Sequence, residues 1–256
     1  MSLDKRWLRR SFSAAAADYD RLAVLQRRIG ERLLTGLPRL LPAGALVDVG
    51  AGTGWCAARL RYRYPGAAVL LVDIAEAMLH QARKRLKDEA VYLVADAERL
   101  PLADGSAALI VSNLALQWCP DPRRAVEAMA RALRPGGRLL LSTFAAGTLA
   151  ELRQAWARVD RYSHVNEFLA VPALEGLLRE AGFRTWQVDA ETLRCRYPSL
   201  AALFRELKGI GAHNVTRDRP RHLLGKGRLR RLEAAYPREN GAVVASFVPA
   251  YVIAVK

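Results

Sequence analysis

The chain lacks most of the signals that would announce a metalloprotein, a secreted scaffold or a membrane protein. Its 256 residues include only three cysteines, Cys56, Cys119 and Cys195, far apart and odd in number. This excludes a disulfide framework and a cysteine-based zinc site, points to a reducing, cytoplasmic setting, and leaves the thiols as packing residues. The four histidines, His80, His164, His213 and His222, have no ligand spacing, so no metal is expected. No stretch approaches eighteen uninterrupted apolar residues, and the basic start MSLDKRWLRRSFS has no apolar run behind it. Neither a transmembrane helix nor a secretory signal is therefore expected, and no membrane partner. Internal repeats and low-complexity tracts are absent too.

What the chain does have is apolar content and basic charge. Hydrophobic residues make up 52%, enough for one globular α/β domain with an insertion or small lid. The net charge is +15, unevenly placed. Lys and Arg outnumber Asp and Glu nine to four over residues 1–40 and ten to three over 205–238, but only thirteen to ten over 46–143. The excess lies outside the centre, as if those parts face a polyanion; solvated helix faces explain the charge alone equally well.

The most informative stretch is Leu46-Val47-Asp48-Val49-Gly50-Ala51-Gly52-Thr53-Gly54-Trp55. An apolar run ends in an acid and breaks into glycines at alternate positions before helix-forming sequence. This reads as strand, tight turn and helix, with bare backbone open to a ligand at a helix N-terminus. The spacing G-x-G-x-G is not the G-x-G-x-x-G of dinucleotide-binding turns. Alternation continues downstream: strands at 45–49, 68–72, 90–95, 107–112 and 138–143, with helices at 75–86 and 122–133. Asp73, Asp96 and Asn113 fall at strand ends, where ligands bind in such sheets, and Asp73 is placed to grip a ribose diol. Residues 18–40 read as one helix with Leu22, Leu25, Ile29, Leu33 and Leu34 on a stripe. Beyond 143, helices are expected at 148–162, 172–181, 199–209 and 226–236, with a strand within 184–193 and a last one at 247–255.

Acid plus alternating glycines resembles the first motif of class I S-adenosylmethionine (SAM) methyltransferases. The resemblance implies a Rossmann-like α/β fold, a mostly parallel seven-stranded sheet flanked by helices. It implies SAM as cofactor, S-adenosylhomocysteine as product, and contacts at Asp48, Gly50, Gly52, Gly54, Asp73, Ile74, Met78, Asp96, Ala97, Asn113 and Gln26. Asp96 with Ala97 would meet the adenine amino group. The tip Ser112-Asn113-Leu114-Ala115 lacks the Asp/Asn-Pro-Pro-aromatic pattern of exocyclic-amine methylation, and no cysteine is placed for attack on a pyrimidine. Nucleic acid is disfavoured as substrate on that ground.

A closer resemblance covers nearly the whole chain. Phe12 with Ala14-Ala15-Ala16 and Tyr19, Leu25-Gln26, SNLALQWC at 112–119, Glu151-Leu152 with Gln154-Ala155-Trp156, His164 to Leu169, and LKGIGA at 207–212 resemble malonyl-acyl-carrier-protein O-methyltransferases of biotin synthesis. Two departures are visible: Ala51 where many relatives have Cys, and Ala108 in place of an acid. The resemblance implies methyl transfer to the free carboxylate of a malonyl thioester, on carrier protein or coenzyme A. A carboxylate is already ionised near neutral pH, so no general base and no His–Asp dyad are expected. Substrate-positioning candidates are Tyr19, Gln117, Trp118, His164, Asn166 and Lys208. The implied partner is an acidic acyl carrier protein, docking on a rim that includes Arg217, Arg219, Arg221, Lys226, Arg228, Arg230 and Arg231. A monomer is expected, divided into an N-terminal helical segment (1–44), a SAM-binding core (45–145), a lid and basic region (146–246) and a final strand (247–256). Two other readings stand beside this one: a SAM methyltransferase for another small molecule or RNA, and a non-catalytic SAM-binding scaffold.

Overall fold

The computed structural model describes residues 3–212 and 225–256, with only the backbone of Lys226. In chain order, α1 (Lys5–Ala15), α2 (Tyr19–Leu22) and α3 (Val24–Leu34) precede β1 (Ala45–Val49). Then come α4 (Trp55–Arg63), β2 (Val69–Asp73), α5 (Glu76–Leu86), β3 (Val91–Val94), β4 (Ala107–Asn113), α6 (Pro122–Ala132) and β5 (Leu133–Phe144). The second half holds α7 (Ala150–Ala157), α8 (Val171–Glu180), β6 (Thr185–Ala190), β7 (Leu193–Tyr197), α9 (Leu200–Gly209) and α10 (Lys226–Ala235). It closes with β8 (Arg238–Glu239), β9 (Ala242–Phe247) and β10 (Pro249–Val255).

Seven strands form the main sheet in the order β3-β2-β1-β4-β5-β10-β6. The first five pair in parallel, and β10 runs antiparallel between β5 and β6. Helices cover both faces, so inner strands are apolar on both sides, and β4 is buried along nearly its whole length. Period-two alternation sends Leu46, Leu109, Val111 and Leu140 to one core with Ile29 and Leu60. Val47, Ile110, Leu139 and Leu141 enter the other, with Met129 and Leu178. The carboxyl ends of β1, β2 and β4 therefore meet along one edge, with the glycine turn between them.

The structure departs from expectation in the outer parts. The helix expected over 18–40 breaks at Ala23, whose ψ of 44° is non-helical and whose side chain is buried. The helix expected over 148–162 is shorter, because Thr148 is used otherwise: its hydroxyl accepts from the Val248 amide at 2.9 Å. The final strand expected over 247–255 begins at Pro249, and Phe247 instead ends β9 of another sheet. A second antiparallel sheet, β7-β9-β8, was not anticipated. The region 146–246 thus holds helices, the small sheet and β6 of the main sheet. No helix of the described residues is long and apolar enough to cross a membrane.

Candidate active site

The three glycines of the turn all have positive φ, 71°, 52° and 76°, but for different reasons. A Cβ on Gly50 would lie 2.3 Å from Ala115 Cβ, and one on Gly54 would lie 2.9 Å from Ala82 Cβ. Gly54 lets α4 close onto α5 and does not border either cavity of the turn. At Gly52 a Cβ would meet nothing within 4 Å. It faces a cavity, so this is the position where a ligand can approach bare backbone. The Gly52 amide donates to Asp73 Oδ2 at 2.8 Å, and the Ala75 amide to Asp73 Oδ1 at 2.8 Å. Burial pushes the Asp73 carboxyl up, and these amide donors oppose the shift.

Asp48 has a structural task in addition. It is buried, and its Oδ2 accepts from the Ala57 amide at 3.0 Å, fixing the first turn of α4. Burial raises its pKa to about 7. It borders a smaller cavity behind the turn, with Tyr19, Gln26, Gly50, Gly52 and Asn113. Across this cavity α2 is clamped down: Thr53 Oγ1 donates to Asp20 Oδ1 at 2.6 Å, and Arg85 reaches Asp20 Oδ2 at 2.5 Å.

The main cavity is lined by Gly50, Gly52, Asp73, Ile74, Met78, Asp96, Ala97 and Asn113, all expected from sequence. Tyr19, Gln26, Gln117 and Trp118 line it as well. Tyr19, Gln26 and Asn113 border both cavities, so they stand where the two meet. Asn113 is locked, donating from Nδ2 to Gln26 O at 3.0 Å and accepting from Ser142 Oγ at 2.7 Å. Gln117 donates from Nε2 to Leu114 O at 2.8 Å and accepts from Thr143 at 3.1 Å. Trp118 meets Phe12 edge-on, ring centroids 5.5 Å apart.

The N-terminal helical segment forms the roof, and beyond Tyr19 and Gln26 its site residues were not expected. Helix α1 brings Lys5, Leu8 and Phe12 to the cavity, and the turn after α9 brings Ile210 and Ala212. The two meet closely: a Cβ on Gly211 would lie 3.1 Å from the Phe12 ring. Lys5 Nζ bridges Asp96 at 2.5 Å and Glu98 at 2.7 Å. Burial opposes its charge, but the two carboxylates outweigh it and raise the pKa. Asp4 caps α1 by accepting from the Arg6 amide at 2.9 Å, and this local signal marks where the helix begins.

Three expected substrate residues are not brought to this cavity. His164 stacks on Trp156, centroids 3.6 Å apart, and its Nε2 lies 2.8 Å from Asp160 Oδ1. This His–Asp pair borders a separate cavity with Arg153 and Arg161, away from the main one. Burial would raise the Asp160 carboxyl, yet the His164 hydrogen bond and the Tyr162 amide hold it below the ordinary range. Asn166, two residues on, borders a fourth cavity that shares Gln117, Cys119 and Phe144 with the main one. Lys208 is exposed on the last turn of α9. Of the basic rim, Arg228, Arg230 and Arg231 lie on α10; Arg217, Arg219 and Arg221 lie outside the described residues, as does the Lys226 side chain. Among the described residues no group of three His, Cys, Asp or Glu could hold a metal.

Comparison with known proteins agrees with this geometry. A family profile described as a methyltransferase domain matches residues 47–141. The chain is 50% identical over 250 residues to a malonyl-[acyl-carrier protein] O-methyltransferase of Methylococcus capsulatus, covering 95% of this chain and 91% of that one. It is 41% identical to the biotin biosynthesis bifunctional protein BioHC of Cellvibrio japonicus, covering 93% of this chain and 47% of that protein. Among solved structures, the YcgJ protein of Bacillus subtilis superimposes with a TM-score of 0.64 at 19% identity, covering 89% of this chain and 97% of that one. That likeness establishes the fold alone.

Proposed function

The chain belongs to the malonyl-[acyl-carrier protein] O-methyltransferase family, and from that premise we propose that it methylates the free carboxylate of a malonyl thioester borne on acyl carrier protein. S-adenosylmethionine supplies a methyl group on a positively charged sulfur when bound. The residues present fit it. Gly52 leaves backbone bare, Asp73 offers its remaining lone pairs to a ribose diol, Ile74 and Met78 give apolar walls, and Asp96 with Ala97 suits the adenine edge. Tyr19, Gln26 and Asn113 suit the methionine end.

One observation carries the choice of acceptor: the titratable groups around the cavity are already committed. Burial and the nearby Asp73 push the Tyr19 hydroxyl far up. Burial, with Glu98 and Asp96, raises the Cys119 thiol to about 12. Asp73 is held by amides, and Asp96 by Lys5. An acceptor that arrives already ionised, as a carboxylate does, needs none of them as base. The protein's task is then to aim the acceptor and remove its water. Gln117 has a second Nε2 hydrogen free to orient a carboxylate, while Phe12, Trp118 and Phe144 keep the surroundings dry. Neutralisation of a carboxylate against a sulfonium is favoured in so apolar a place.

The basic face of α10, with Arg228, Arg230 and Arg231, would steer an acidic carrier. The test is mass spectrometry of malonyl-carrier protein incubated with enzyme and S-adenosylmethionine, with acetyl-carrier protein as control. A methyl-mass gain on the malonyl form alone is expected. A gain on neither form, with cofactor binding verified, overturns the assignment.

A further inference from the structure

Next to the main cavity lies another that the reaction chemistry above does not use. It runs between the segment after β4, the end of β5 and the stretch 166–169, with Pro120, Pro122, Phe168 and Leu169 among its walls. Gln117, Cys119 and Phe144 border both spaces, so the two adjoin at the point where the carboxylate is to be aimed. Asn166 also borders the outer space. Its residue is only 8% exposed, and its Oδ1 is buried with no hydrogen-bond partner. An orphaned buried acceptor is destabilising, so it is retained at the expense of stability. The backbone beneath is fixed, because Arg153 Nη2 donates to the Asn166 carbonyl at 2.7 Å. The side chain is thus held ready for a donor that the protein itself does not supply.

We infer that this second cavity receives the extended diamide arm of the acyl thioester, a pantetheine-type chain, with Asn166 Oδ1 accepting one of its amide N–H groups. The inference rests on the thioester reading above. The ligand chemistry follows from the walls. Apolar surface suits methylenes, the unpartnered Asn166 oxygen suits a neutral amide donor, and the shared neck lets the malonyl end enter the main cavity while the arm stays outside. Asn166 is then a substrate-binding residue for the arm, not a recogniser of the malonyl carboxylate. His164, on the far side of the same stretch, has no part in it.

Three substrates and two variants test this. Asn166→Leu should lower kcat/KM about tenfold, chiefly through KM, on both malonyl-carrier protein and malonyl-coenzyme A, which share the arm. On malonyl butyl thioester, which has no amide, the variant should stay within about twofold of wild type. Its Tm should rise, because the orphaned oxygen is gone. Leu169→Trp, which fills the cavity, should weaken the arm-bearing substrates while leaving cofactor binding intact. Equal losses on all three substrates, or a loss on the carrier protein alone, would overturn the inference. If wild type methylates no malonyl thioester, the acceptor assignment fails instead. Calorimetry with S-butyl pantetheine then decides: binding weakened by Asn166→Leu sustains the arm site, and absence of binding ends it.

Discussion

The floor and the roof of the main cavity are built from different materials. The floor is backbone: the glycine turn, strand ends and two aspartates whose oxygens are held by amides 2.8–3.0 Å away. The roof is side chains: Lys5, Phe12, Tyr19 and Ile210, reaching in from α1, α2 and the turn after α9. Backbone amides fixed by the sheet are preorganised and cannot be repositioned cheaply. A roof of side chains on short helices can lift and settle at smaller cost. The floor therefore should set whether the cofactor binds, and the roof should set how readily it enters and leaves.

The largest effect should come from breaking the floor. Asp73→Ala removes the acceptor for the ribose diol, and S-adenosylmethionine affinity measured by calorimetry should fall about 100-fold. The two glycines sharpen the contrast within the floor itself. Gly52→Val puts bulk into the cavity and should cut affinity at least about tenfold. Gly54→Ala should instead lower Tm by several degrees, since its Cβ would lie 2.9 Å from Ala82, with far less effect on affinity. Similar affinity losses for both would dissolve the distinction between ligand-facing and packing glycine.

A smaller effect of opposite sign is expected at the roof. Lys5 competes for Asp96, so Lys5→Met should tighten cofactor binding about two- to fivefold, a modest change for a partly exposed ion pair. Weakened binding would instead make Lys5 part of the cofactor site. A further signal is in pH. The Asp48 pKa is raised to about 7, above its ordinary 3.8. Its contribution to stability is fully present below about pH 4 and is lost as pH rises through 7. Wild-type Tm should therefore decline over that window relative to Asp48→Asn, which keeps an acceptor for the Ala57 amide. Parallel profiles for the two proteins would place the titration elsewhere.

The same division explains what was legible in the chain. Strand-tip acids and glycine spacing are local signals, and Gly52, Asp73, Asp96 and Asn113 all stand at the cavity as expected. The roof depends on contacts between distant segments: Lys5 is 91 residues from Asp96. The break at Ala23 has no local cause, since Asp20 is drawn to Thr53 and Arg85 from elsewhere. Two misses were avoidable. Pro249 marks the end of β9, and β7 reads Leu193-Arg194-Cys195-Arg196-Tyr197, alternating inward and outward as a one-sided strand does. His164 and Asn166 were grouped by proximity in sequence, yet they border different cavities.

Cys119 stands at the neck between the two cavities, and its position has a consequence for chemical self-protection. A thiolate beside a thioester attacks it, and the acyl group would pass from its carrier to the protein as a dead-end adduct. Burial raises the Cys119 pKa to about 12, so the thiol stays protonated near neutral pH. Burial and the charges of Glu98 and Asp96 thus make the wall inert toward the activated acyl group it would have to admit. An enzyme handling thioesters can keep a cysteine within reach of them, provided its surroundings hold the proton on.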